Sequence, residues 1–213
     1  MNHIKLKILL ILAAVFQISK AAADSYDNAL TAIRLDDIPA AEALFAKGLD
    51  VNTTDPSANT LLMIAVGENH VDMVKRLLAR QAKVGARNRY GETVLMLATA
   101  NGNLELVKLL VDHGAAINQP GWTPLIYAAW KGNTVVVKYL LEKGAEIDAV
   151  SPNKISALMM AAREGHFDTV KLLLWEVADP NLKSDSGVTA LALAQKAGNT
   201  KIVELLKQAG AKE

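Results

Sequence analysis

The sequence predicts an all-α solenoid, a stack of helix–turn–helix units, and three observations predict it. Thr60, Thr93, Thr123, Ser156 and Thr189 recur at steps of 33, 30, 33 and 33, and the residues that follow each of them keep the same columns. Within each copy the apolar residues fall at helical spacing on two short stretches separated by a polar break. The composition, 51% hydrophobic and 21% charged with no Cys, is that of a chain held by packing, without disulfides or thiolate metal sites.

Taken in order, the first element is an address. Lys5 and Lys7 precede an apolar run from Ile8 to Ile18, and Ala21-Ala22-Ala23 follows as a small-residue cleavage site. This order is that of a secretory signal peptide over residues 1–23, cut before Asp24. The alternative is an uncleaved membrane anchor, but the run is shorter than the ~20 apolar residues of a spanning helix and Lys20 follows it closely. The mature chain is therefore expected to be exported, with the periplasm first and the extracellular space second, and to have no contact with a membrane after cleavage.

Residues 24–56 form a first cap unit, a degenerate copy in phase from Asp27, with Asp36-Asp37 as its turn and helix start. Each full copy then begins at its hydroxyl, which can accept from the free N–H groups of a helix starting there; in Thr123-Pro124 the proline sits where its missing donor costs nothing. Leu at the second position and Ala at the fifth are invariant, from Leu62 and Ala65 to Leu191 and Ala194. Positions nine and ten read Asn69-His70, Gly102-Asn103, Gly132-Asn133, Gly165-His166 and Gly198-Asn199: a residue able to turn left-handed, then a polar start for the second helix. That helix carries Val at position fourteen and Leu at seventeen in every copy, and a Gly such as Gly114 or Gly144 stops it. A connection of about ten residues rich in Asn, Asp, Gly and Pro leads to the next head. Two short helices cannot bury both faces alone, so the copies must stack. The copy headed by Thr189 is the closing cap, because Lys207 replaces the apolar residue supplied by Leu78, Val111, Leu141 and Leu174.

This pattern resembles the ankyrin repeat. The likeness rests on Thr123-Pro124-Leu125-Ile126-Tyr127-Ala128-Ala129 with Gly132-Asn133, on Leu140-Leu141-Glu142-Lys143-Gly144-Ala145-Glu146-Ile147-Asp148, and on the matching residues from Gly91 to Asn118. It spans nearly all of residues 24–213, and the leader makes the chain look like an exported, bacterial-type member. The sequence departs from the family at several points. Met63, Met96, Ile126, Met159 and Ala192 replace the usual His, which removes its hydrogen bonds between neighbouring turns. Val177 stands where Gly should end a helix, and a β-branched residue is strained at positive φ, so the helix there is expected to end differently. The 30-residue step shortens the connection between Asn118 and Thr123, which puts a full hairpin finger there in doubt.

The chain is read as a non-enzyme with no cofactor and no metal. Its mature His residues, His70, His113 and His166, are spread over three copies without paired ligands, and Asn fills the column of His70 and His166 elsewhere. There is no phosphate loop, nucleophile elbow or zinc helix. The Asp36-Asp37 pair is read as turn chemistry, and Asn52-Thr53-Thr54 is a formal glycosylation acceptor. Lys plus Arg number 23 against 22 acids, and without the leader 20 against 22, so nothing favours nucleic acid.

Binding of another protein is the expected activity. By resemblance, the concave face is built from hairpin tips and first-helix ends. Carried onto this chain, these are Arg89, Tyr90 and Glu92, then Trp122, then Lys154 and Ile155 at the tips, and Trp130, Lys131, Arg163 and Glu164 at the helix ends. Trp122 and Trp130 belong to one copy and should face one side; they either anchor a partner or pack on the shortened loop and the adjoining helix end. Trp175 either shields the irregular fifth copy or marks a second contact surface. Exported members of the family include stress-protection partners and immunity-type inhibitors; a secreted effector that docks on a host protein is the alternative reading.

Overall fold

The structure is a computed structural model that describes residues 25–212. The expected leader, and with it the cleavage site, lies outside the described residues. Among those residues every regular element is a helix, none long and apolar enough to cross a membrane, and β pairing is limited to isolated antiparallel bridges. They divide into two compact units, the division falling between Ala82 and Lys83.

The first unit contains α1 (25–34), α2 (Ile38–Ala46), α3 (Leu61–Gly67) and α4 (Val71–Ala79). Asp36 takes a positive φ of 54° in the turn after α1, and the Asp37 side chain accepts the Ala40 N–H at 2.9 Å to start α2. The cap pair is tied to the next pair at three points. His70 Nε2 lies 3.0 Å from the Arg34 carbonyl oxygen at the end of α1. Arg80, just past α4, grips the Glu42 carboxylate on α2 and covers the Phe45 ring at 5.0 Å. Its hydrogen bonds hold the Glu42 carboxyl below its ordinary pKa.

The second unit repeats one pair four times: α5 (Val94–Asn101) and α6 (Leu104–Asp112), α7 (Pro124–Trp130) and α8 (Thr134–Glu142), α9 (Ala157–Glu164) and α10 (Phe167–Trp175), α11 (Ala190–Lys196) and α12 (Thr200–Gln208). The first helices pack on one another more extensively than the second helices do, giving two layers. In both units the head hydroxyls are buried N-caps, each accepting the N–H three residues on at 3.2 to 3.4 Å. The Leu column at position two and the Ala column at position five are at most 2% exposed in every copy. Each such leucine contributes roughly 2 kcal/mol of apolar burial, and alanine lets neighbouring first helices approach closely.

Two ladders of side chains join successive pairs in the second unit. The residue at position ten reaches back to the free carbonyls that end the preceding first helix: Asn133 Nδ2 donates to Thr99 O at 2.8 Å and Ala100 O at 3.0 Å. Asn199 does the same to Ala162 and Arg163, and His166 Nε2 lies 2.9 Å from Trp130 O. The second ladder lies in the connections, where Asn118 accepts the Glu146 N–H, Asp148 the Asp179 N–H and Asn181 the Lys212 N–H, at 2.8 to 3.0 Å.

The first ladder explains a glycine. Gly132 ends α7 at a φ of 70°, and the His166 ring of the next pair lies directly on it, so that a Cβ there would fall 2.5 Å from Nδ1. Gly102 seats Asn133 in the same way, while a Cβ at Gly165 would meet Asn199 less closely, at 3.1 Å. Two requirements, a left-handed turn and an empty seat, thus fall on one position.

The connections follow the spacing. Bridges pair Thr54 with Thr60, Arg87 with Thr93 and Val150 with Ser156, making short hairpins, while no bridge closes the shortened segment 118–123. One expectation is corrected. The helix before Val177 ends as the others do: Val177 adopts a φ of 67°, its N–H bonds to Leu174 O, and Ala178 N–H bonds to Leu173 O at 2.9 Å. The same two bonds close α6 at Gly114 and Ala115. The buried Ala178 and this bond pair impose the left-handed turn on a residue that resists it.

Two measurements probe these features. Val177→Gly removes the strain and is expected to stabilise the chain by about 1 kcal/mol, seen as a raised thermal midpoint. In urea unfolding, Gly132→Ala is expected to cost about 2 kcal/mol or more, because strain and the His166 collision add, while His166→Asn stays within about 0.5 kcal/mol of the parent.

Candidate functional site

The α7 pair carries a strip of three aromatic rings. Trp122 precedes the capping Thr123, Tyr127 lies one turn into α7, and Trp130 ends it, so Tyr127 and Trp130 share a helix face three residues apart. The Tyr127 ring meets Trp122 edge-on at 6.0 Å and Trp130 edge-on at 6.1 Å. Both indoles are partly exposed. Lys131 places its ammonium 4.4 Å over the Trp130 ring.

The strip is fixed from behind. The Tyr127 hydroxyl donates to Glu92 Oε1 at 2.9 Å, and Asn88 Nδ2 donates to Glu92 Oε2 at 2.8 Å, so both carboxylate oxygens are used. Burial and then the Glu92 carboxylate push the Tyr127 phenol above its ordinary pKa. Gln119 Nε2 donates to Trp122 O at 2.7 Å, and Gln119 Oε1 accepts from Arg87 at 2.9 Å. The shortened connection is therefore anchored through Gln119, and it delivers Trp122 to the ring of Tyr127. At the other end, His166 reaches the Trp130 carbonyl.

Of the residues singled out in the sequence, Glu92, Trp122, Trp130 and Lys131 come together around Tyr127. Tyr90, 77% exposed, and Arg89 sit at the tip of the hairpin closed by Arg87 and Thr93. Lys154 and Ile155 lie on the next hairpin, where Lys154 pairs with Asp185 at 3.3 Å. Arg163 and Glu164 pair with each other at 2.8 Å at the end of α9. Trp175 is 79% exposed beside Val177 at 82%, so it shields nothing.

Sequence reading passed over Tyr127, Gln119 and Asn88. Tyr127 had a signal: its column is otherwise Ile64, Leu97, Met160 and Leu193, and a lone phenol among aliphatics needs a partner for its hydroxyl. Gln119 and Asn88 had none, since they act through one loop geometry.

Among the described residues no three His, Asp or Glu side chains cluster as a metal site would require. A groove of about 490 Å³ is an open furrow between the connections around Gln119, Pro120, Glu146 and Val150. The fold and the strip define a stacked-repeat scaffold that presents side chains on a regular frame. A profile described as "Ankyrin repeats (3 copies)" matches residues 29–120, 62–151 and 147–213, and the chain belongs to the ankyrin-repeat family. No curated protein sequence matches it. Among solved structures it is similar to the human ASB11 ankyrin repeat domain, at 26% identity and a TM-score of 0.78 over 86% of this chain and 83% of that one. The ankyrin repeat is a known scaffold for protein–protein interaction, and the chain is an interaction module built on it.

Tyr127→Phe keeps the ring contacts and deletes the donor to Glu92. It is expected to lower stability by about 1 kcal/mol in chemical denaturation while leaving far-UV circular dichroism unchanged.

Proposed function

We propose that the chain captures another protein on the face formed by its hairpin tips and first-helix ends, in the periplasm or another secretory space, without catalysis. The Trp122, Tyr127 and Trp130 strip carries the reading. The Tyr127 ring is held by its hydroxyl bond to Glu92 and meets both indoles edge-on, while Gln119 and His166 hold the backbone carbonyls of Trp122 and Trp130, so the strip is largely placed before a partner covers it. Partly exposed, rigid indoles are the usual anchors of interface hot spots, each worth about 2 kcal/mol or more when buried by a partner. Arg89, Tyr90, Lys154, Arg163 and Glu164 form the polar surround, with Ile155 beside Lys154. The leader read over residues 1–23 supports export, and a role as a stress-protection partner or an immunity-type inhibitor fits a module of this kind.

The double variant Trp122→Ala, Trp130→Ala is expected to fold, with a cooperative melt close to the parent's, and to lose partner capture from the producing cell's own periplasmic or secreted fraction. Retained capture, or loss of the cooperative melt, would remove the case for these indoles as anchors.

A further inference from the structure

We infer that the partner presents an acidic, solvent-exposed loop or tail carrying a bulky apolar side chain, its acids meeting Arg89 and Lys131 and its apolar group seated on the Trp122 and Trp130 strip. This rests on the proposed binding face and adds the chemistry of what binds there.

The proposed face carries unbalanced positive charge. On the hairpin residues just ahead of each head and at the first-helix ends, the second unit places five cations: Arg89, Lys131, Lys154, Arg163 and Lys196. The same positions hold three acids, Glu92, Glu164 and Asp185. Every one of these acids is already used. Asp185 pairs with Lys154 and Glu164 with Arg163. Glu92 gives one oxygen to the Tyr127 hydroxyl and the other to Asn88. Arg89, Lys131 and Lys196 are left with no carboxylate among the described residues. Lys131 and Lys196 gain a little from lying at helix C-termini. Arg89, at a hairpin tip, has no such reason to be cationic. Lys131 rests instead on the indole of Trp130, which places a cation and an aromatic surface side by side.

A basic partner would meet three uncompensated cations and no free acid, and like-charge juxtaposition costs enough to exclude it. An acidic one neutralises them, and its apolar group finds the rings preorganised. Single-stranded nucleic acid shares the negative charge and could stack on the rings. The charge pattern favours protein, because cations interspersed with three paired acids give no continuous basic track for a phosphate backbone.

The test is selection from a displayed library of random dodecapeptides against the purified chain, repeated with Arg89→Glu, Lys131→Glu and with Trp122→Ala, Trp130→Ala. Peptides enriched by the parent are expected to carry net negative charge together with at least one large apolar residue. In fluorescence anisotropy they should bind the charge-reversed variant at least tenfold more weakly, and bind the parent less tightly as salt rises. Enrichment of neutral or basic peptides, no enrichment, equal binding to the charge-reversed variant, or tighter binding of a labelled oligothymidylate than of any selected peptide overturns the inference. The indole variant separates the two readings. If it enriches the same peptides as the parent, the binding face itself is misplaced; if it loses them but they are not acidic, only the charge argument fails.

Discussion

The structure depends on a side chain that crosses from one helical pair to the one before it. A first helix of seven or eight residues is too short to be stable alone and ends with carbonyls that have no partner inside the helix. Asn133, His166 and Asn199 supply those partners from the following pair, so the pair that caps a helix also fixes its neighbour's position. The cost is local: the same side chains leave the N-termini of their own helices without a side-chain cap. Asn103 caps its own helix at Leu106, so this geometry lies within the reach of a residue at position ten. In the second unit glycine lies beneath Asn133 and His166, and each of these side chains occupies the space a Cβ would take at Gly102 and Gly132.

Apolar packing supplies most of the energy and little of the register. Leu and Ala columns that are nearly identical from copy to copy would accept several alignments of one pair against the next. The Asn118, Asp148 and Asn181 ladder in the connections, together with the position-ten ladder, favours one, since each of these side chains meets particular backbone groups of the neighbouring pair. Register matters for function. A displacement of the α7 pair would carry Tyr127 away from Glu92, and with it the ring that holds both indoles in place.

The site departs from the repeat at the point where the repeat is shortest. Removing three residues between Asn118 and Thr123 leaves no hairpin there, and Gln119 ties the remaining chain to Arg87, Met96 and the Trp122 carbonyl. The Met96 sulfur that accepts from Gln119 occupies a column where the family places His, so one departure from the pattern is used to anchor another. Irregular length and irregular residues thus occur together, which is the arrangement expected of a frame modified for binding at one point and left regular elsewhere.

The sequence by itself determined the fold class, the helix starts of the five full copies and the buried columns, because hydroxyl caps, Leu and Ala spacing and turn glycines act through local backbone geometry that repeats in each copy. It also showed the irregular connection at 118–123, since a missing residue count needs no coordinates. Tertiary structure alone decided three things. It showed that the polar residue at position ten belongs to the preceding pair, a relation spanning about one repeat that no local rule encodes. It showed that Val177 takes a left-handed turn, because Ala178 and two backbone bonds outweigh the strain of one β-branched residue. Finally, it joined Glu92 to Tyr127 across 35 residues, and that bond makes two separate tryptophans into one surface.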